Sequence, residues 1–258
     1  MRKVRRKNEL GLGTEIAPTA LMNPSTHTVL GDVATHLLRI AAVALALAFV
    51  GGPVRLALCV AMFLALFTFA HDLSHRALGL HRRTNAALLA VAGALMLLSG
   101  RAMRRMHLLH HARPLAPCDI EGLGATRSLW GSFACGPATF VRLRREAWRR
   151  AAPYERRAQL GEHVATMLFA AAAFSGSLGT ALSHYAFVAL AMQLTASFWA
   201  SYMAHHTPPW LARLAAAFAF ARSPVLLSLA FHEEHHRHPG VPCHRLSAGL
   251  PARRAPGR

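Results

Sequence analysis

Residues 37–52 are almost entirely leucine, alanine, valine and isoleucine, and residues 56–70 repeat that composition directly after a Gly51-Gly52-Pro53 break. Crossing a bilayer core takes about 17–25 helical residues, so each run must borrow neighbours such as Thr35 or Val54. Two short apolar runs joined by Gly-Gly-Pro read as a transmembrane hairpin. Buried helices of a soluble protein are the competing explanation. The hairpin constrains the chain more than any other feature, because it fixes the side of the membrane on which everything downstream must lie.

Three further apolar runs follow, at 85–99, 163–178 and 184–204. Residues 210–229 are apolar but interrupted by Arg213, Arg222 and Pro224, which suits interfacial helices. The chain carries a net charge of +18 beside a hydrophobic content of 53%. Such a charge could signal nucleic acid, but the basic residues sit in blocks between apolar runs, with no interleaved aromatics and no recognisable nucleic-acid motif. That alternation is the charge pattern of a membrane protein. The opening Arg2, Lys3, Arg5, Arg6 and Lys7 read as a cytosolic basic tail, because no apolar stretch follows at once as it would in a signal peptide. Residues 142–157 suit an anionic membrane surface. Residues 113–136 read as a loop. Cys59, Cys118, Cys135 and Cys243 are far apart and form no CxxC, which argues against a disulfide framework or a thiolate zinc site.

With the basic N-terminus inside, the first hairpin returns the chain to the inner face. If residues 85–99 then crossed, the arginines at 101, 104 and 105 would lie outside. The consistent solution is that this run lies along the interface or re-enters, while 163–178 and 184–204 form a second hairpin. The expected fold is therefore all-α and integral to the membrane: four transmembrane helices in two hairpins, with a cytosolic and interfacial helical cap. Residues 1–34 are expected to be a basic tail, 35–246 the membrane domain and 247–258 a second basic tail. The high alanine and arginine content suggests a bacterial inner membrane.

Three histidine clusters fall on the inner side: His71-Asp72-Leu73-Ser74-His75, His107-Leu108-Leu109-His110-His111 and His232-Glu233-Glu234-His235-His236. In a helix, residues at i, i+3 and i+4 share a face, so each cluster presents its imidazoles together. A metal would satisfy nitrogens that are costly to bury bare, and neutral imidazole suits iron, zinc, copper or nickel. Eight imidazoles exceed what one tetrahedral zinc uses, and fit two ions with positions left for oxygen. Ordinary surface histidines would not explain why ten of the 17 histidines gather in these clusters and in the pair His205-His206 at the end of an apolar run. Asp72, Asp119, Glu121, Glu233 and Glu234 are the nearby carboxylates able to take the other ring N–H. His27, His36, His81, His163, His184 and His244 stand alone and are expected not to ligate; His238 is expected at most to support. HEEHH is not the HExxH of zinc hydrolases, and few intramembrane polar residues mark an ion path. A non-catalytic metal-binding membrane protein remains the alternative from another class.

At HDLSH, HLLHH and HEEHH the chain resembles the membrane-bound fatty acid desaturase superfamily, which includes alkane hydroxylases and carotenoid hydroxylases and ketolases. The resemblance runs from His71 through Leu246. It implies two iron ions that activate O2 and abstract hydrogen from an unactivated C–H bond of a lipid, fatty acyl or carotenoid. The segment HEEHHRHPGVPCHRL looks close to carotenoid ketolases. The family pattern adds a further histidine after the last span; in Ala204-His205-His206-Thr207 the expectation is His206, with His205 in the place of a polar neighbour. The implied ligands are thus His71, His75, His107, His110, His111, His206, His232, His235 and His236. Electrons must come from outside, since no dinucleotide fingerprint, iron–sulfur motif or haem attachment is present. A ferredoxin-type donor docking on residues 142–157 is the expected partner, with anionic lipid the competing use of that surface.

Overall fold

The computed structural model describes residues 26–247, and among them every regular element is helical. The tail at 248–258 and the segment 1–25 lie outside the described residues, as does the side chain of His27. Helix α1 (Thr26–Phe49) starts inside the stretch expected to be a tail and packs against α2 (Gly52–His75). Each has 24 residues, roughly 36 Å at 1.5 Å per residue, enough to cross a hydrocarbon core of about 30 Å. The turn works because Gly52 takes φ 62° and Pro53 opens the next helix, where its missing N–H costs nothing. Arg55 Nε donates back to the Val50 carbonyl at 2.8 Å and closes the turn.

Helix α2 is the central post. Phe63, Leu66, Phe69 and Leu73 on it are buried against Leu89, Met96 and Tyr185. The outer helices instead expose Leu38, Phe49, Met167, Leu168 and Phe187. Large apolar side chains left outside in such numbers mark a surface made for lipid.

Helix α3 (Arg82–Leu95) and α4 (Gly100–Ala112) meet at 101°. This elbow interrupts the third apolar run, so a single straight crossing is excluded. Only glycine fits at its contact: a Cβ on Gly93 would stand 2.5 Å from the Gly100 nitrogen, and one on Gly100 would stand 2.2 Å from the Leu89 carbonyl oxygen. The elbow's backbone groups are satisfied from outside, as burial demands. Tyr185 Oη donates to Leu95 O at 3.1 Å, Gln193 Nε2 to Met96 O at 2.9 Å and Arg144 to Leu97 O at 3.1 Å. Ser99 caps α4 and donates its hydroxyl to Glu162 at 2.5 Å; the Arg101 N–H donates to the same carboxylate at 3.0 Å.

The stretch expected to be a loop contains a 3-10 helix (Glu121–Thr126) and the short α5 (Leu129–Ala134). Its glycines explain why it reads as irregular: Gly124 lies so close to the Ser197 carbonyl that a Cβ would come within 1.9 Å. Helix α6 (Gly136–Arg150) carries much of the basic stretch. Helix α7 (Pro153–Phe174) contains the fourth apolar run but also Glu155, Arg156, Arg157 and Glu162, and it packs on α8 (Thr180–Leu194). Beyond α8 come a π-helix (Ser197–Tyr202), the one-turn α9 (Met203–His205), α10 (Pro209–Ala217), α11 (Pro224–Ala230) and α12 (His232–Arg237).

Among the described residues α1 and α2 are long and apolar enough to cross a membrane. Two bent pairs, α3 with α4 and α8 with the π-helix and α9, would raise the number to four if each is one span. These candidates omit α7, which is charged along its first half, and include α3 with α4, whose 101° bend suits a re-entrant run as well as a broken span.

Candidate metal centre

The three histidine clusters occupy the last turn of α2, the second half of α4 and the whole of α12. Helical spacing alone would keep each cluster together. The packing divides them into two nests. His71, His75, His107, His111 and His235 bring their ring nitrogens within 4.8 Å of one another; His110, His205, His232 and His236 do the same. Each i,i+4 pair stays within one nest: 71 with 75, 107 with 111, and 232 with 236. The middle histidine of each later cluster, His110 or His235, serves the opposite nest. The nests adjoin, with the His111 and His236 rings stacked at a centroid distance of 4.2 Å.

The nitrogen positions fit metal ions. His111 Nε2 is 3.1 Å from His235 Nε2, His110 Nε2 is 3.2 Å from His236 Nε2, and His232 Nε2 is 3.3 Å from His205 Nε2 and 3.0 Å from His236 Nε2. Two nitrogens bound about 2.1 Å from one ion and at right angles lie about 3.0 Å apart. His107 and His110 give their Nδ1–H groups to Glu121 and Asp119, each at 2.6 Å, which leaves Nε2 as a bare lone pair facing its nest. His107 Nε2, His75 Nε2 and His235 Nδ1 are buried with no hydrogen-bond partner. Each such atom costs about 1–3 kcal/mol unless something binds it. A cation in the first nest would satisfy His75 Nε2 and His107 Nε2, and nine imidazoles are too many for a single tetrahedral ion.

Electrostatics favour the ligand-competent form. Burial, reinforced by neighbouring imidazoles, pushes the pKa of His232 and His235 well below the ordinary histidine value and that of His236 down to about 4. These rings are neutral near pH 7, with lone pairs available. Burial raises the Asp119 carboxyl, but hydrogen bonds from His110 and from the Gly122 and Leu115 N–H groups outweigh it and hold the group below the usual carboxylate range.

Two sequence expectations change here. His206 is not brought to either nest; its exposed ring stacks on Tyr202 at 4.4 Å and its Nδ1 sits 3.0 Å from the Tyr202 carbonyl. His205 takes the place. The wide turn of the preceding π-helix shifts the helical phase, so the doubled histidine could not be resolved by counting. Glu233 and Glu234 support no imidazole, and both pair instead with Arg237, Glu234 at 2.9 Å. Among the acids, Asp72, Asp119 and Glu121 reach the ligand rings. His81 caps α3 and His184 is exposed, while the buried His36, His244 and His238 lie outside both nests.

An apolar pocket opens beside the nests, reaching His71, His107, His110, His205 and His232. Phe63, Phe67 and Trp199 form one wall, with Trp199 edge-on to both phenylalanines at 5.8 and 4.8 Å. Trp199 belongs to the π-helix, and its indole N–H is tied to the Met192 carbonyl at 2.8 Å. Phe63 and Phe67 lie one turn apart on α2, but Trp199 reaches them from the π-helix, so no single stretch of chain marks this wall.

Apolar helices, two imidazole nests and an adjoining apolar pocket define a class of membrane-type metal-binding proteins. The family described as fatty acid desaturase matches residues 44–255, and the chain belongs to that family. No curated protein and no solved structure matches it significantly.

Proposed function

We propose that this protein is an O2-dependent di-iron oxidoreductase of the membrane and that it desaturates a fatty acyl chain. The observation that carries the reading is the pairing of two adjacent imidazole nests with an apolar pocket that opens onto both. An unactivated C–H bond is beyond side-chain acid–base chemistry, and bound iron with O2 supplies the oxidising power. The protein's own residues do the rest. Neutral imidazoles form the two ligand sets, and Glu121 and Asp119 keep a proton on the Nδ1 of His107 and His110, so that Nε2 points inward. Phe63, Phe67 and Trp199 exclude water and hold a hydrocarbon segment against the nests.

In this reading the chain spans the membrane four times, and its nests face the cytosol of a bacterial inner membrane. A ferredoxin-type donor delivers electrons to the arginine-rich face of α6. A carotenoid hydroxylase or ketolase is the second reading, favoured by the His238-Pro239-Gly240-Val241-Pro242 segment after the third cluster.

Metal analysis of the purified protein should give about two iron ions per chain, one for each nest, with turnover that needs O2 and a reductant. One zinc ion and no O2 consumption would point instead to a non-catalytic metal-binding membrane protein. Expression in a host that makes both acyl lipids and carotenoids separates the substrates. Altered acyl unsaturation with unchanged pigment supports the desaturase, and the reverse supports the carotenoid enzyme.

A further inference from the structure

Beneath the first nest lies a cluster of buried ionisable groups drawn from three distant parts of the chain. Asp72 on α2 is 1% exposed. Its Oδ2 accepts from His36 Nε2 of α1 at 2.9 Å, and its two oxygens accept the backbone N–H of Cys243 at 3.1 and 3.0 Å. His71 Nδ1 stands 3.5 Å from Asp72 Oδ1 and 3.3 Å from Cys243 Sγ. One layer further out, His244 Nε2 donates to Asp32 Oδ1 at 3.0 Å, and Arg245 pairs with the same oxygen at 2.6 Å. The His36 and His244 rings meet edge to face at 5.8 Å. Asp32, His36, Asp72, Cys243 and His244 are all buried.

A carboxylate buried this completely is costly without donors. The donors to Asp72 come from α1 and from the 3-10 turn Cys243–Arg245, so the arrangement forms only when both are seated. Asp72 is also adjacent to a ligand histidine in sequence, and it stands on the Nδ1 side of that ring, away from the nest. A carboxylate there fixes the ring's tautomer and orientation. We infer that Asp72 is a positioning residue for His71 and that the turn at 243–245 clamps Asp72, so that the far end of the chain completes the first nest. This rests on the two-metal reading above.

Cobalt(II) titration of the purified apoprotein, followed by absorption, tests the clamp without relying on turnover. Two binding steps are expected from the wild type, and a wild type that binds no metal would defeat the two-metal reading itself. Cys243→Ala keeps the N–H that clamps Asp72 and removes only the Sγ beside His71 Nδ1, so it should weaken one step far less than the loss of the N–H does. Cys243→Pro deletes the N–H in a place that accepts proline, because Pro242 is extended with ψ 142°. Cys243→Pro and Asp72→Asn should each weaken one step by about 10- to 100-fold and leave the other unchanged. In a His110→Ala background, which disables the second nest, the surviving step should carry the same loss.

Two wild-type steps that remain unaltered in Asp72→Asn and Cys243→Pro would overturn the clamp. Should those variants fail to insert, Asp32→Asn loosens only the outer layer, and a loss confined to one step supports the clamp. Equal loss at both steps would mark a merely structural role and overturn it. So would a third binding step abolished by His244→Ala, which would make His36, Asp72 and His244 a cation site of their own.

Discussion

The two nests are built from the same side chain but held in different ways. The first takes two of its five imidazoles from the end of α2, the best-packed helix, and two from α4, with His71, His107 and His235 buried. The second takes its four from α4, α9 and α12, and only His110 is buried. Helices α9 and α12 have 3 and 6 residues, too short to be stable alone. The first nest is therefore a feature of the helical frame, whereas the second depends on short elements held in place by tertiary contacts. Rigid support sets ligand geometry, and an exposed, loosely supported nest exchanges its metal more readily.

The largest effect should come from the residue that joins the two. His235 sits on α12 among second-nest ligands yet serves the first nest. His235→Ala should abolish lipid conversion and remove metal from the first nest, while membrane insertion, followed by fractionation, stays intact. Full activity in that variant would break the division into nests. Next comes the contrast between neighbours. His205→Ala should lose second-nest metal and activity, whereas His206→Ala, at an exposed ring, should change stability by no more than about 0.5 kcal/mol and keep its iron. The reverse outcome would restore the family expectation at this position.

Smaller effects should follow from the supporting acids. Asp119→Ala should weaken second-nest metal about 10- to 100-fold and Glu121→Ala first-nest metal by a similar factor, read by cobalt titration of each variant. Chelation should show the same asymmetry as a rate, with the half-buried second nest emptying before the first under a mild chelator. Simultaneous loss would mean that the nests behave as one unit. Away from the metal sites, Glu162→Gln should leave both nests occupied and lower stability by about 1–3 kcal/mol, measured by thermal unfolding in detergent, because it weakens the elbow between α3 and α4 and its ion pair with Arg101.

Local rules made much of this legible. Apolar runs broken by Gly51, Gly52 and Pro53 gave the first hairpin, and histidines at i and i+4 gave pairs that do share a nest. The same rules misled where position depends on phase. Glu233 and Glu234 follow His232 by one and two residues, about 100° and 200° around a helix, and so face away from the ligand side. Asp72, Asp119 and Glu121, by contrast, were legible as candidate supporting acids and do reach the rings, although the last two come from a segment that reads as loop because its glycines serve close packing.

The sequence by itself determined the helical class, the lipid-facing composition and the eight clustered imidazoles, because these follow from side-chain chemistry and a period of 3.6 residues. Only the tertiary structure decided how the imidazoles divide, that His205 replaces His206, and that Cys243 closes on Asp72 across 171 positions. Those choices depend on helix crossing angles, on the altered phase of a π-helix and on backbone donors of the C-terminal turn, none of which has a signature within a single stretch of chain.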